Sequence, residues 1–143
     1  MDDLWARVRD RWKREGLSVR EPADEARLAE CERRLGRALP SDLRGWFAAV
    51  GGMEAHVYDS EFFRFWTIEE VTFASDHGID DGEPSLLFAD FMIWSHAYGI
   101  RCAPPHDVLL VGDSVPLHVC NGFRDFVARY LEQPISLFGL PIR

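Results

Sequence analysis

The sequence predicts a single α+β domain with a mostly antiparallel sheet, and three observations carry that prediction. Apolar side chains in the first fifty residues recur at helical spacing. Short aliphatic and aromatic runs follow, too closely spaced for crossover helices between them. A last amphipathic stretch then supplies a closing helix. At 143 residues, with 47% apolar and 13% aromatic side chains, the chain is long enough to bury a core without staples.

In the first helix Leu4, Trp5, Val8 and Trp12 share a face, and Gly16 is a natural stop. A connection through Pro22 opens a second helix with acids in Ala23-Asp24-Glu25 and a stripe of Leu28, Cys31 and Leu35, ended by Gly36. Ser41 or Asp42 is placed to cap a third, whose Leu43, Trp46, Phe47 and Val50 follow an i, i+3, i+4, i+7 face before Gly51-Gly52. Glu61 to Trp66 reads as an aromatic strand, and Thr67-Ile68-Glu69-Glu70 has capping-box form. Ser75 to Pro84, with two glycines and four acids, reads as a mobile loop. Leu86 to Phe91, Trp94 to Cys102, Asp107 to Val111 and Val115 to Cys120 are further strand candidates, divided by turn signals at Pro104-Pro105 and Gly112-Asp113-Ser114. Asn121 is placed to cap a final helix bearing Phe123, Phe126, Val127, Tyr130 and Leu131, stopped before Pro134.

The order of these parts is more specific than any one of them. A helix ending at Leu35-Gly36 leads to Leu39-Pro40, then to Trp46-Phe47 and Gly51-Gly52. The Phe62–Trp66 strand, the Ile68–Val71 turn and Leu87-Phe88-Ala89-Asp90 follow. A Tyr98 strand, a Val108–Val111 strand and Phe123-Arg124-Asp125-Phe126 complete the series. Over residues 20–135 this series resembles the SMI1/KNR4 (SUKH) superfamily, bacterial immunity-protein type. The resemblance implies helices packed around a curved antiparallel sheet and a protein-binding role. Many bacterial members bind and neutralise a polymorphic or contact-dependent toxin delivered between cells. The superfamily has no shared catalytic motif, so the resemblance carries over no catalytic residue. The matching Leu39, Pro40, Trp46, Gly51, Gly52, Trp66, Phe88 and Phe126 are read as fold-determining.

Charge is unevenly placed. Residues 1–45 hold eleven Lys/Arg against ten Asp/Glu, or +1; residues 46–143 hold five against fourteen, or −9. That argues against nucleic acid and for a basic protein partner, although acidity also serves solubility alone. Three cysteines without a close pair (Cys31, Cys102, Cys120) fit a reduced compartment. The acidic start Met1-Asp2-Asp3-Leu4-Trp5 is unlike a secretory signal, and no apolar run is long enough to span a bilayer. The expectation is a cytoplasmic protein without membrane association.

No chemistry-bearing constellation assembles from the sequence. Cys102-x-x-x-His106 crosses Pro104-Pro105 and lacks a second ligand pair. His118 and Cys120 alternate onto one strand face, without oxyanion donors for acyl transfer. The acidic loop misses the ligand spacing of a calcium loop. Phe62, Phe63, Phe65 and Trp66 cannot all face one core, so Phe62 or Trp66 needs cover from helices or is exposed, and Trp94 and Tyr98 pose the same question. An uncovered aromatic patch ringed by acids would suit a hot-spot surface. The reading is a non-enzymatic binding protein without metal or cofactor. Asp76, Asp80, Asp81 and Glu83, with Glu54, Asp59 and Glu61, form its candidate partner-binding face, and a basic toxin such as a nuclease is the expected partner. A regulatory scaffold for a host protein and, more remotely, a small hydrolase or ligand-binding enzyme remain as alternatives. Monomer and homodimer are both open, the sheet edge near Asp107 to Cys120 being able to pair.

Overall fold

Apolar residues spaced three and four apart wind the first third of the chain into three helices in the computed structural model, which describes residues 2–112 and 116–138. Helix α1 spans Asp3–Arg14, α2 Glu25–Leu35 and α3 Ser41–Ala49. Asp2 caps α1 by accepting from Leu4 N at 2.9 Å, and Asp24 caps α2 by accepting from Arg27 N at 2.9 Å. Gly36 ends α2 with φ 74°, a left-handed conformation that glycine adopts without a Cβ penalty. Neither Ser41 nor Asp42 is the cap of α3. The helix starts at Ser41 itself, because Pro40 takes the N-cap position with its ring-fixed φ and its carbonyl accepts from Arg44 N at 2.9 Å.

The sheet is antiparallel throughout. Its strands are β1 Phe63–Phe65, β2 Thr72–Phe73, β3 Ser85–Phe91, β4 His96–Arg101, β5 Val108–Val111 and β6 Leu117–Cys120. Their order is β1-β3-β4-β5-β6, and β2 shares the β1 edge of β3. Helix α4, Phe123–Glu132, returns across the inner face. The sheet is curved and unclosed, so the architecture is the expected α+β one. Differences fall at element ends. The aromatic strand is shorter than Glu61–Trp66, and the segment expected as a strand from Trp94 begins only at His96. Of the turn and strand placed over 112–120, Asp113, Ser114 and Val115 lie outside the described residues. Gly122 rather than Asn121 takes the N-cap position of α4, because the Asn121 side-chain oxygen accepts from His118 Nε2 at 2.8 Å.

Two bulges set which side chains face which layer. Leu87 pairs with Gly99 but Ala89 with Tyr98, so Phe88 is the extra residue in β3. Phe88 and Ala89 then both join the inner core, while Leu87 and Asp90 share the outer face. In β6, Val108 pairs with Cys120 but Leu109 with His118, which makes Val119 extra. The bulge overturns the shared face expected for His118 and Cys120: Cys120 is buried in the inner core and His118 is exposed.

The inner core is built on aromatic rings. Trp46 sits between Trp5 (centroids 5.3 Å apart, T-shaped), Trp12 (5.8 Å), Phe65 (5.2 Å) and Phe123 (5.4 Å), joining α1, α3, β1 and α4. Each such pair adds roughly 0.5–1.5 kcal/mol beyond its burial. Trp12 Nε1 donates to the Tyr130 hydroxyl at 2.9 Å, and that hydroxyl donates to the buried Asp59 carboxylate. The outer face carries a second cluster of Trp66, Ala74, Leu87, Ala97, Leu109 and Val111, with Ile79 packed on it. Its cover is not an α-helix, as the sequence suggested. It is the 3-10 turn Ala74–His77 together with Ile79, because the segment expected as a mobile loop folds back over the sheet.

Gly51-Gly52 does more than stop a helix. A Cβ on Gly51 would overlap the Arg20 carbonyl, and one on Gly52 (φ 85°) would overlap the Trp66 carbonyl. Only hydrogen side chains let residues 18–20 lie against 52–54, where Arg20 N donates to Gly52 O at 2.9 Å and Glu54 N to Ser18 O at 3.1 Å. Gly51→Ala should therefore destabilise the fold by more than about 2 kcal/mol in urea denaturation. Gly45→Ala, exposed in α3 with only Trp5 Nε1 near at 3.9 Å, should be neutral or stabilise by up to about 1 kcal/mol.

Candidate functional site

At the far end of β3 the chain enters a four-residue connection, Met92-Ile93-Trp94-Ser95, without a turn-forming residue before Ser95. Three successive residues have positive φ: Met92 51°, Ile93 53° and Trp94 68°. Ser95 N donates to Met92 O at 3.2 Å, so Ile93 and Trp94 are the central residues of the turn. Positive φ at both centres is the geometry that ordinarily selects Asn-Gly, and β-branched Ile is among the poorest residues for it. The left-handed region costs about 1–2 kcal/mol per residue for such side chains. Phe62 (φ 67°) adjoins the turn, its carbonyl accepting from Met92 N at 2.9 Å.

The strained segment displays its side chains. Phe62 is 57% exposed, Met92 52%, Ile93 76% and Trp94 48%, whereas Val19, Leu117 and Ile135 are exposed singly elsewhere. Scattered apolar residues are ordinary; four together on strained backbone are not.

What holds the turn is Asp90. Its carboxylate, fully buried on the outer face of β3, accepts from Trp94 N (3.2 Å), Tyr58 OH (2.6 Å) and Trp66 Nε1 (2.7 Å). Burial, followed by the hydrogen bond to and repulsion from Asp90, raises the Tyr58 phenol above its ordinary value. Trp66 supplies a platform against which the Trp94 ring lies at 4.8 Å, and the His77 ring is 5.4 Å from Trp94. Arg64, directly opposite Asp90 in the ladder, pairs with Glu70 at 2.6 Å and donates to the carbonyls of Met53 and Glu54 at 3.0 Å each. Burial raises the Glu70 carboxyl, but hydrogen bonds from Arg64 and Thr67 outweigh it and hold the group below the ordinary glutamate range. The Thr67–Glu70 capping box expected from the sequence is formed.

The candidate acids do not form one face. Asp59 is buried and spent internally, accepting from Tyr130 OH and from the Phe63 and Glu61 amides at 2.9 Å each. Burial raises its carboxyl despite those bonds. It belongs to the core rather than to a partner surface, because the turn at 59–63 folds its side chain inward. Asp81 is tied to Arg101, whose Nη1 donates to Asp81 Oδ1 at 2.8 Å, to Glu83 O at 2.9 Å and to Ser85 Oγ at 3.1 Å. Asp80 and Glu83 lie in the same segment, beside the Ser85 end of β3. That end is six residues, about 20 Å, from the 92–95 turn. Glu61 and Asp76 are at the strained turn: Glu61 precedes Phe62, and Asp76 accepts from Thr72 Oγ1 at 3.0 Å one residue before His77. Glu54 is half-buried beside Arg64.

Of the fold-determining set, Trp46, Phe88 and Phe126 are inner-core residues, Leu39 joins them, and Trp66 faces outward under Trp94. Met92, Ile93 and Asp90 are the functional candidates that sequence reasoning missed; Trp94 is one of the aromatics whose cover the sequence leaves open, and it lies half exposed on the turn. The one signal was a strand-like run between β3 and β4 with nowhere else to reverse the chain.

The histidines and cysteines do not converge. Burial pushes the Cys120 thiol up to about 12, and burial also raises Cys31. Among the described residues no group of three or more His, Cys, Asp or Glu is placed to hold a metal ion, and no helix is long and apolar enough to cross a membrane. No model of a known protein family matches the chain, and no curated protein matches it.

Asp90→Asn should leave either Trp66 Nε1 or Trp94 N facing an amide donor, costing about 1–3 kcal/mol in urea denaturation and altering tryptophan emission. The Asp81–Arg101 tie gives a pH test. Hydrogen bonding from Arg101 holds Asp81 down to about 2 against an ordinary 3.8. Its stabilisation is full above 3.8 and is lost as pH falls toward 2. Over that window the wild-type melting temperature should fall more steeply than that of Arg101→Gln.

Proposed function

We propose that this chain is a non-enzymatic protein-binding module of the SMI1/KNR4 immunity type, which neutralises a cognate basic toxin by occupying its surface. The observation that carries the reading is the strained, outward-facing turn Met92–Trp94 beside exposed Phe62. Strained backbone persists where surrounding structure over-determines it, and such sites cluster at ligand contacts. Exposed Trp, Phe, Met and Ile on rigid backbone provide the large contact area of an interface hot spot at low entropic cost.

Glu61, Asp76 and the partly exposed Glu70 give that apolar patch an acidic rim. An acidic rim around an apolar centre speeds encounter with a basic partner and disfavours acidic ones. Nuclease toxins are basic because they hold phosphate, so they meet this requirement. The ordered series of sequence features and the α+β architecture support the same family. Cytoplasmic residence follows from the reading, since a toxin delivered between cells is met inside the recipient.

The test is co-expression with the cognate toxin, read as survival and as captured complex. Wild type should protect and bind. Ile93→Asp, at a position already 76% exposed, should keep its melting temperature yet lose at least about thirtyfold in affinity. Affinity should also fall between low and physiological salt. Undiminished binding by Ile93→Asp would remove the turn from the interface, and indifference to salt would remove the acidic rim's part.

A further inference from the structure

Between the strained turn and β2 lies a small open cavity of about 110 Å³, lined by Arg64, Trp66, Glu70, Thr72, His77 and Trp94. It is well below the roughly 300–1,000 Å³ of small-molecule sites, and has room only for the head of one side chain. Trp66, His77 and Trp94 are its aromatic lining, with the Trp94 ring 4.8 Å from Trp66 and 5.4 Å from His77. Its lining charges are one guanidinium, Arg64, paired with one carboxylate, Glu70. Exposed Asp76, held by the lining residue Thr72, adds a second carboxylate at the edge and leaves the site with an excess negative charge.

Glu70 divides its two oxygens. Oε1 accepts from Arg64 Nη2 (2.6 Å), Thr67 N (3.0 Å) and Thr67 Oγ1 (2.9 Å), whereas Oε2 takes part in none of these bonds. The Glu70 side chain is about a third exposed. The carboxylate is thus fixed by one oxygen, leaving the other as an acceptor on a residue that lines the cavity with Trp66 and Trp94.

We propose that this cavity is a receptor for one arginine side chain of the protein partner, whose guanidinium stacks on Trp94 and donates to Glu70. Arginine suits it better than lysine. A planar, weakly hydrated guanidinium stacks on an aromatic face while its edge donates to a carboxylate, whereas an ammonium is a compact, strongly hydrated charge. The added cation also balances Asp76, the edge carboxylate that the Arg64–Glu70 pair leaves in excess. The proposal rests on the partner-binding reading for its biological ligand, and it names the anchoring residue that such a basic partner brings.

The test needs no partner. The indole N–H resonance of Trp94 is followed by NMR during titration with N-acetyl-arginine methylamide and, separately, with N-acetyl-citrulline methylamide, an uncharged near-isostere. The arginine probe should shift the resonance saturably and the citrulline probe at least about tenfold more weakly, the loss expected for a charge-assisted bond. Glu70→Gln should weaken the arginine probe by a similar factor. Because Glu70 also anchors Thr67 and Arg64, Trp94→Leu is read in parallel through the His77 ring resonances, and it should abolish the response. Equal response to both probes, or none to arginine, overturns the receptor. Those results leave the role of Ile93 in partner binding standing, whereas loss of that role with probe binding intact would count against the interface reading alone.

Discussion

A buried carboxylate with three donors converging on it organises the outer half of this protein. Asp90 binds the backbone of the strained turn through Trp94 N, the platform through Trp66 Nε1, and the 54–62 segment through Tyr58 OH. Burying a carboxylate costs several kcal/mol unless its lone pairs are met, and here three donors meet them. The cost of the site is also its specificity. A rearrangement of the turn that withdraws Trp94 N takes one of the two donors from Asp90 Oδ1, which favours the observed arrangement. The Phe88 bulge puts Asp90 there, since without the extra residue the alternation of β3 would send its side chain into the aromatic core.

Much of the fold is legible in the sequence because its determinants are local. Helical spacing places α1 to α4, the Thr67–Glu70 box forms, and Gly36 stops α2 as its lack of a Cβ suggests. Phe63 and Phe65 face inward as alternation requires, and the Phe62-or-Trp66 question resolves both ways: Phe62 is exposed and Trp66 is covered. The proposed binding surface was not legible for the opposite reason. Met92-Ile93-Trp94 has the β-branched and aromatic composition of a strand, and only tertiary contacts with Asp90 and Trp66 turn it back. The Val119 bulge is equally silent in sequence, and it separates His118 from Cys120.

Acidity also reads differently once the groups are placed. The −9 balance of residues 46–143 suggested one partner face. In the fold several of those carboxylates are structural. Asp59 locks Tyr130 and Trp12, Asp90 locks the turn, Glu70 pairs with Arg64, and Asp81 pins the covering segment to β4 through Arg101. What remains free is distributed. Glu61 and Asp76 stand near the apolar patch, and Asp80 and Glu83 stand at the other end of β3, about one strand length away. Net charge therefore locates no site; the conjunction of strain, exposed apolar area and a few neighbouring acids does.

The central claim is that the turn keeps unfavourable residues because a partner needs them. Replacing its two centres by the residues that its geometry prefers, Ile93→Asn with Trp94→Gly, tests this directly by comparing melting temperature and partner affinity in one protein. The account predicts that relieving strain offsets the lost Trp94–Trp66 packing, so stability holds or rises while affinity for the proposed partner collapses. Partner affinity unchanged in that variant, or a fold that loses several kcal/mol, would contradict it and make Met92–Trp94 a structural element rather than a binding one.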